Sequence, residues 1–82
     1  MELKFEDFRA EVLSAMDSKP KDWRDGQFVF NYIDEHYAVA RYTQFVKGTN
    51  CFFDDSKIEE FIEGCYETLV AAIRNQNLFG TE

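Results

Sequence analysis

Residues 22–36 read DWRDGQFVFNYIDEH, and the fold turns on whether this stretch is a helix or the first strand of a hairpin. Phe28, Val29, Phe30, Tyr32 and Ile33 all favour strands. QFVFNYI followed by HYAVARYTQF can be drawn as two strands joined near Asp34 and Glu35, giving an α+β chain with a hairpin at about 27–46. Strict alternation fails, however, because Val29 lies between two phenylalanines and Val39 between two alanines. On a helical wheel Phe28, Val29, Tyr32, Ile33 and His36 share one side, with Phe30 and Tyr37 flanking it. So wide an apolar arc suits a central helix packed on both neighbours. Asp22 offers this helix an N-cap, and Gly26 falls early enough in it to do little harm. The periodicity therefore favours a helix.

The segments on either side are easier to read. Upstream, Phe5, Phe8, Val12 and Met16 recur at steps of three and four with Leu13 beside them, the pattern of an amphipathic helix. Asp17, Ser18, Lys19 and Pro20 end it, since the residue before a proline avoids the helical region and proline has no amide hydrogen. Downstream, Asp54, Asp55 and Ser56 supply N-cap side chains, and Glu59 and Glu60 sit in the first turn, where the helix dipole favours negative charge. Ile58, Phe61, Ile62, Cys65, Leu69, Ala72 and Ile73 form one stripe of that last helix, with Glu59, Glu60, Glu63 and Glu67 opposite. Like charges four apart at Glu59/Glu63 and Glu63/Glu67 cost a few tenths of a kcal/mol each, which marks the acidic face as a candidate for selection. Gly64, inside the helix, calls for close packing of a neighbour, from this chain or from a second copy.

With 82 residues the chain is one domain, near the size at which burial only just offsets chain entropy. Nine Phe, four Tyr and one Trp make a core attainable and leave rings over for a partner. Sixteen acids against nine bases give a formal charge of −7. That field disfavours direct binding to nucleic acid or anionic membrane and favours a basic protein surface. No apolar run approaches a transmembrane span. MELKFEDFRAEV lacks the charged and apolar regions of a secretory leader, so the expected compartment is the cytoplasm, with Cys51 and Cys65 as free thiols. These two cysteines and His36 fall short of a zinc ligand set, Asp54, Asp55 and Glu59 lack calcium-loop spacing, and His36 has no nucleophile nearby in sequence. No cofactor, metal or catalytic residue is expected.

Three blocks, WRDGQFVFN (23–31), GTN (48–50) and CFFDDSKIEEFI (51–62), resemble a family of small uncharacterised bacterial and phage-borne proteins. Members read approximately WRxGQxxFN, a helical middle, GT, and DPFYxDxxIxxFL. The resemblance spans about half the chain and departs at Cys51 and Phe52, where the family has Asp-Pro. It implies a compact helical domain and brings no established activity.

Read as a helix, the opening stretch aligns Arg24, Gln27 and Asn31 on one face, where Gln27 and Asn31 can exchange amide hydrogen bonds. Arg24 is placed to grip Asp54 or Asp55 bidentately, with Thr49 supporting that network from the loop. The same residues, with Trp23 as a stacking platform, are the candidate site for an anion or nucleotide.

The reading that follows is an all-α, single-domain bundle of about four helices over residues 1–82. The helices lie at about 3–17, 23–36, 38–47 and 56–75, with the tail Leu78–Glu82 frayed. The expected function is a non-enzymatic protein-interaction domain, of the kind found in inhibitors or adaptors of phage or mobile-element type. It would hold its partner through Glu60, Glu63 and Glu67 with Tyr37, Tyr42 and Phe45. The partner is a protein with a basic surface, or a second copy in a homodimer. The alternative function is a small-ligand or nucleotide-binding module centred on Trp23, Arg24 and Gln27.

Overall fold

The computed structural model describes residues 3–48 and 50–80, with side chains through Arg74. It is an all-α bundle of four helices, α1 (Phe5–Ala15), α2 (Asp25–Tyr37), α3 (Ala40–Lys47) and α4 (Ile58–Gly80), with no strand among the described residues. The hairpin at 27–46 is thereby corrected. The strand-favouring side chains of 28–33 are taken into a helix because α2 packs against α1, α3, α4 and the turn that leads into α4, and packing overrides intrinsic preference.

Helix boundaries follow local chemistry. Helix α1 tightens into a 3-10 turn over Met16–Ser18, and Lys19 before the proline is extended, with ψ 133°. The amide of Trp23 donates to the Pro20 carbonyl at 3.1 Å, closing a turn that keeps Trp23 and Arg24 out of the helix. Asp22 therefore lies ahead of the helix and does not cap it; Arg24 occupies the N-cap position. Ala38 ends α2 in the left-handed region (φ 58°, ψ 29°), its amide donating to the carbonyls of Ile33 and Asp34 at 3.1 Å. Gly48 ends α3 in the same way with φ 70°. A 3-10 turn over Asp55–Lys57 leads into α4, with Asp54 Oδ1 accepting from the Ser56 amide at 3.0 Å and the Ser56 hydroxyl at 2.6 Å. Those two bonds hold the Asp54 carboxyl below its ordinary range. Helix α4 runs to Gly80 rather than stopping near Asn75, because no glycine or proline interrupts residues 76–79. Its last turn includes Leu78 and Phe79, read from sequence as frayed; Thr81 and Glu82 lie outside the described residues.

The core gathers Phe8 and Val12 of α1, Val29, Phe30 and Ile33 of α2, Ala40 of α3, Cys51, and Phe61, Ile62, Cys65 and Leu69 of α4. The buried centre of α2 is thus Val29–Phe30–Ile33, while Phe28 and Tyr32 are half-buried and His36 is exposed. Phe30 stacks on Phe61 at 5.4 Å and meets the edge of Phe52 at 5.7 Å. The Glu11 carboxylate accepts from both Tyr32 (2.6 Å) and Tyr37 (2.5 Å), tying α1 to α2. Arg9 donates two bonds to Glu59, at 2.9 and 2.7 Å, and the Tyr66 hydroxyl donates to the Leu3 carbonyl at 2.8 Å, tying the N-terminal segment to α4. Gly64 is buried within this chain, so its close packing is intramolecular. The Thr68 hydroxyl donates to the Gly64 carbonyl at 3.0 Å, which leaves the fully buried Thr43 hydroxyl as donor to Thr68 at 3.1 Å.

Candidate functional site

Two groups of residues compete for the site. The first is the polar set at the start of α2. Its N-terminal amides need acceptors, and Arg24, with donors only, cannot supply one. Asp55 does so from across the chain, its Oδ1 accepting from the Gly26 amide at 2.9 Å at the positive end of the helix. Gln27 supplies half of a capping box, its Oε1 accepting from the Arg24 amide at 3.3 Å. No hydrogen bond joins Gln27 to Asn31 among the described residues, and Asn31 is half-buried.

The expected grip of Arg24 on a carboxylate is also corrected. Its guanidinium donates to the Phe52 carbonyl at 3.0 Å and lies 5.3 Å from the centroid of the Phe53 ring. The two aspartates are already engaged, Asp54 on Ser56 and Asp55 on Gly26. The Cys51 thiol donates to the Gly26 carbonyl at 3.3 Å, and burial pushes its pKa up to about 12. Cys65 is raised to about 12 by burial as well, and neither cysteine is in a disulfide. Asn50, which the sequence reading passed over, accepts from the Phe52 amide at 2.9 Å. Trp23 is half-buried with its ring 6.4 Å from Phe28. Thr49 lies outside the described residues. This constellation stitches the start of α2 to the loop 50–57 through Arg24, Gly26, Cys51 and Asp55.

The second group lies on α3 and α4. Ala40 and Thr43 are the buried positions of α3, so the opposite face is turned outward. Tyr42, Phe45 and Val46 are 58%, 87% and 52% exposed and, at steps of three and four, form one apolar stripe. Tyr42 and Val46 form one wall of a groove of about 480 Å³, with Val39 beside them and Thr68, Ala71 and Ala72 of α4 opposite. The groove exists because α4 outruns its cover. Among the described side chains of α4 Leu69 is the last buried one, and Ala72, placed from sequence in the core stripe, is exposed.

Charge lines the same side. Lys47 donates to Glu67 at 2.6 Å across the end of the groove, a contact that raises the Lys47 pKa, and Arg41 pairs with Asp34 at 3.6 Å. Glu60 and Glu63, farther along α4, are exposed and have no ion-pair partner among the described residues. The like-charge strain anticipated along the acidic row Glu59–Glu63–Glu67 is relieved at the ends of that row by Arg9 on Glu59 and Lys47 on Glu67. The Arg9 contact lowers the Glu59 pKa.

Of the six residues expected to hold a partner, Tyr42 and Phe45 share this face, Glu67 borders it and Glu60 and Glu63 continue it along α4. Tyr37 is set apart. Its ring packs edge-on against Phe8 at 5.2 Å, and its hydroxyl is held by Glu11. Val39, Val46 and Ala71 were not singled out by the sequence reading. The signal available for Val46 was its position four residues after Tyr42, on a helix too short to bury two faces. Among the described residues no three His, Cys, Asp or Glu side chains gather as a metal set, and no helix is long and apolar enough to cross a membrane. Compared with known protein families, curated proteins and solved structures, the chain finds no match.

Proposed function

We propose that this domain is a non-enzymatic interaction module that holds a protein partner on the outward face of α3 and the adjoining side of α4. One observation carries the reading: Tyr42, Phe45 and Val46 stand exposed together beside an open groove, whereas nearly every other large apolar side chain of the described bundle is buried or half-buried. Exposed aromatics on a rigid element, next to a concavity and bordered by charge, are the usual composition of a binding surface. An inhibitor or adaptor, including one of phage or mobile-element type, is the class of protein such a face suits. A small-ligand or nucleotide module at Trp23, Arg24 and Gln27 is the weaker reading, because Arg24 is anchored on the Phe52 carbonyl, the Gln27 carbonyl oxygen caps α2 and the Trp23 ring is half-buried.

The test is site-specific photo-crosslinking in the source cells, with the photoreactive residue at Phe45 and, as control, at Ser14 on exposed α1. Adducts from position 45 that vanish on Tyr42→Ser support the reading. Equal adducts from both positions, or none from position 45, refute it.

A further inference from the structure

Resting on that reading, we infer that the α3–α4 groove takes a short amphipathic helix whose apolar anchors are flanked by lysine or arginine, rather than a second copy of this chain. The shape argues for a helix. The stripe of α3 is one turn long and runs alongside a groove floored by small residues of α4, the arrangement into which an apolar helix face lays anchors at steps of three and four. The floor suits it, since Ala71 and Ala72 leave room where larger residues would fill the space, and the volume of about 480 Å³ lies within the range of built ligand sites.

The charge argues for a basic occupant. The groove's own cation, Lys47, is neutralised by Glu67 at 2.6 Å, and Arg41 is drawn to Asp34, away from the groove. What remains on the stretch of α4 leading to the groove is negative, at Glu60 and Glu63, in a chain of formal charge −7; the helix's one cation, Arg74, lies beyond the groove's lining. A second copy would present the same acids to their like, whereas a basic flank meets them with opposite sign and gains in encounter rate.

The probe is a fluorescein-labelled 18-residue leucine/lysine peptide with leucines at helical spacing. Its control is the same peptide with every lysine replaced by glutamate, and both are read by fluorescence anisotropy near physiological salt. The leucine/lysine peptide is expected to saturate, with the glutamate peptide at least about tenfold weaker. Tyr42→Ser or Phe45→Ser should weaken the lysine peptide by about tenfold or more, as removal of a central aromatic anchor does. The double variant Glu60→Lys, Glu63→Lys should weaken it by a similar factor and steepen the loss less as salt rises. All four positions are exposed, so circular dichroism should show an unchanged fold.

Equal binding of the two peptides overturns the inference, as does binding of the lysine peptide that the Tyr42 and Phe45 variants leave intact. Sedimentation equilibrium separates this failure from failure of the interaction reading. A dimer of the wild type that Phe45→Ser abolishes overturns the basic helix but leaves the face an interface. A monomer that binds neither peptide and gives no crosslink at Phe45 removes both.

Discussion

Gly26→Ala tests the junction on which the start of α2 depends. A Cβ at Gly26 would lie 1.9 Å from the Cys51 carbonyl oxygen, 2.9 Å from its carbon and 3.0 Å from Asp55 Oδ1. Two of these atoms are backbone, so the loop must retreat by about 1.5 Å, from 1.9 Å to the 3.4 Å at which ordinary contact begins. That movement breaks the bond from the Gly26 amide to Asp55 and the bond from Arg24 to the Phe52 carbonyl, each worth about 1 kcal/mol net at such partly exposed sites. It also unseats Cys51 and the Phe52 ring from the core, for roughly 1–2 kcal/mol more. Alanine returns about 1 kcal/mol of helix propensity over glycine, so the net loss is about 2–3 kcal/mol. A domain of this length has a total of only about 4–12 kcal/mol. Urea unfolding followed by far-ultraviolet circular dichroism measures the loss, and faster reaction of Cys51 with a thiol reagent shows that the loop has lifted. A variant within about 0.5 kcal/mol of wild type, with Cys51 still protected, would refute the reasoning.

Three further outcomes follow from the same structure. Ala38 carries a left-handed backbone with a Cβ, so Ala38→Gly should raise stability by about 0.5–1 kcal/mol in the same urea assay, even after the larger entropy of glycine in the unfolded chain. Tyr32 and Tyr37 are held up at about 12, Tyr32 chiefly by its bond to Glu11 and Tyr37 chiefly by burial and then that bond. Their contribution is therefore complete below the unfolded value near 10 and is lost as pH rises from about 10 to 12, because the unfolded chain releases those protons first. The wild type should lose more stability over that interval than a Tyr32→Phe, Tyr37→Phe variant, measured by urea midpoints at each pH. Cys51 and Cys65, both pushed up to about 12 by burial, should react with a thiol reagent at about pH 8 only from the opened chain, so that the rate climbs with added denaturant.

Much of the bundle was legible because its signals are local. The proline after Lys19, the Asp54–Ser56 cap and the 3.6-residue apolar stripes each act within a few residues of where they are read, and α1 and the start of α4 fall close to their expected places. The 22–36 stretch was harder, since its side chains favour strands and only their spacing argues for a helix. Asp22 failed as a cap because the bond from Trp23 to Pro20 shifts the helix start by two residues, a geometry that composition does not announce. The partners of Arg24 and Gly26 were illegible for a different reason: they lie 28 and 29 residues downstream, and packing alone chooses among the acids and carbonyls there. Tyr37 and Tyr42 are identical in composition, and the left-handed turn at Ala38 between them decides that one faces inward and the other out. The groove was invisible because it depends on where α4 loses its cover.

The cap that Asp55 provides for α2 makes folding less modular than the short helices suggest. An isolated peptide of residues 20–47 has the apolar face of α2 but not the acceptor for its first turn, so its helix should begin later and fray at the front. In the intact chain that acceptor arrives only when the segment leading into α4 has closed back over 29 residues, so the first turn of α2 and the entry to α4 form in one step. The Gly26 amide would then exchange its hydrogen with the slow, whole-molecule opening rather than with helix-end fraying. In this way a borrowed carboxylate couples the first turn of α2 to the entry of α4.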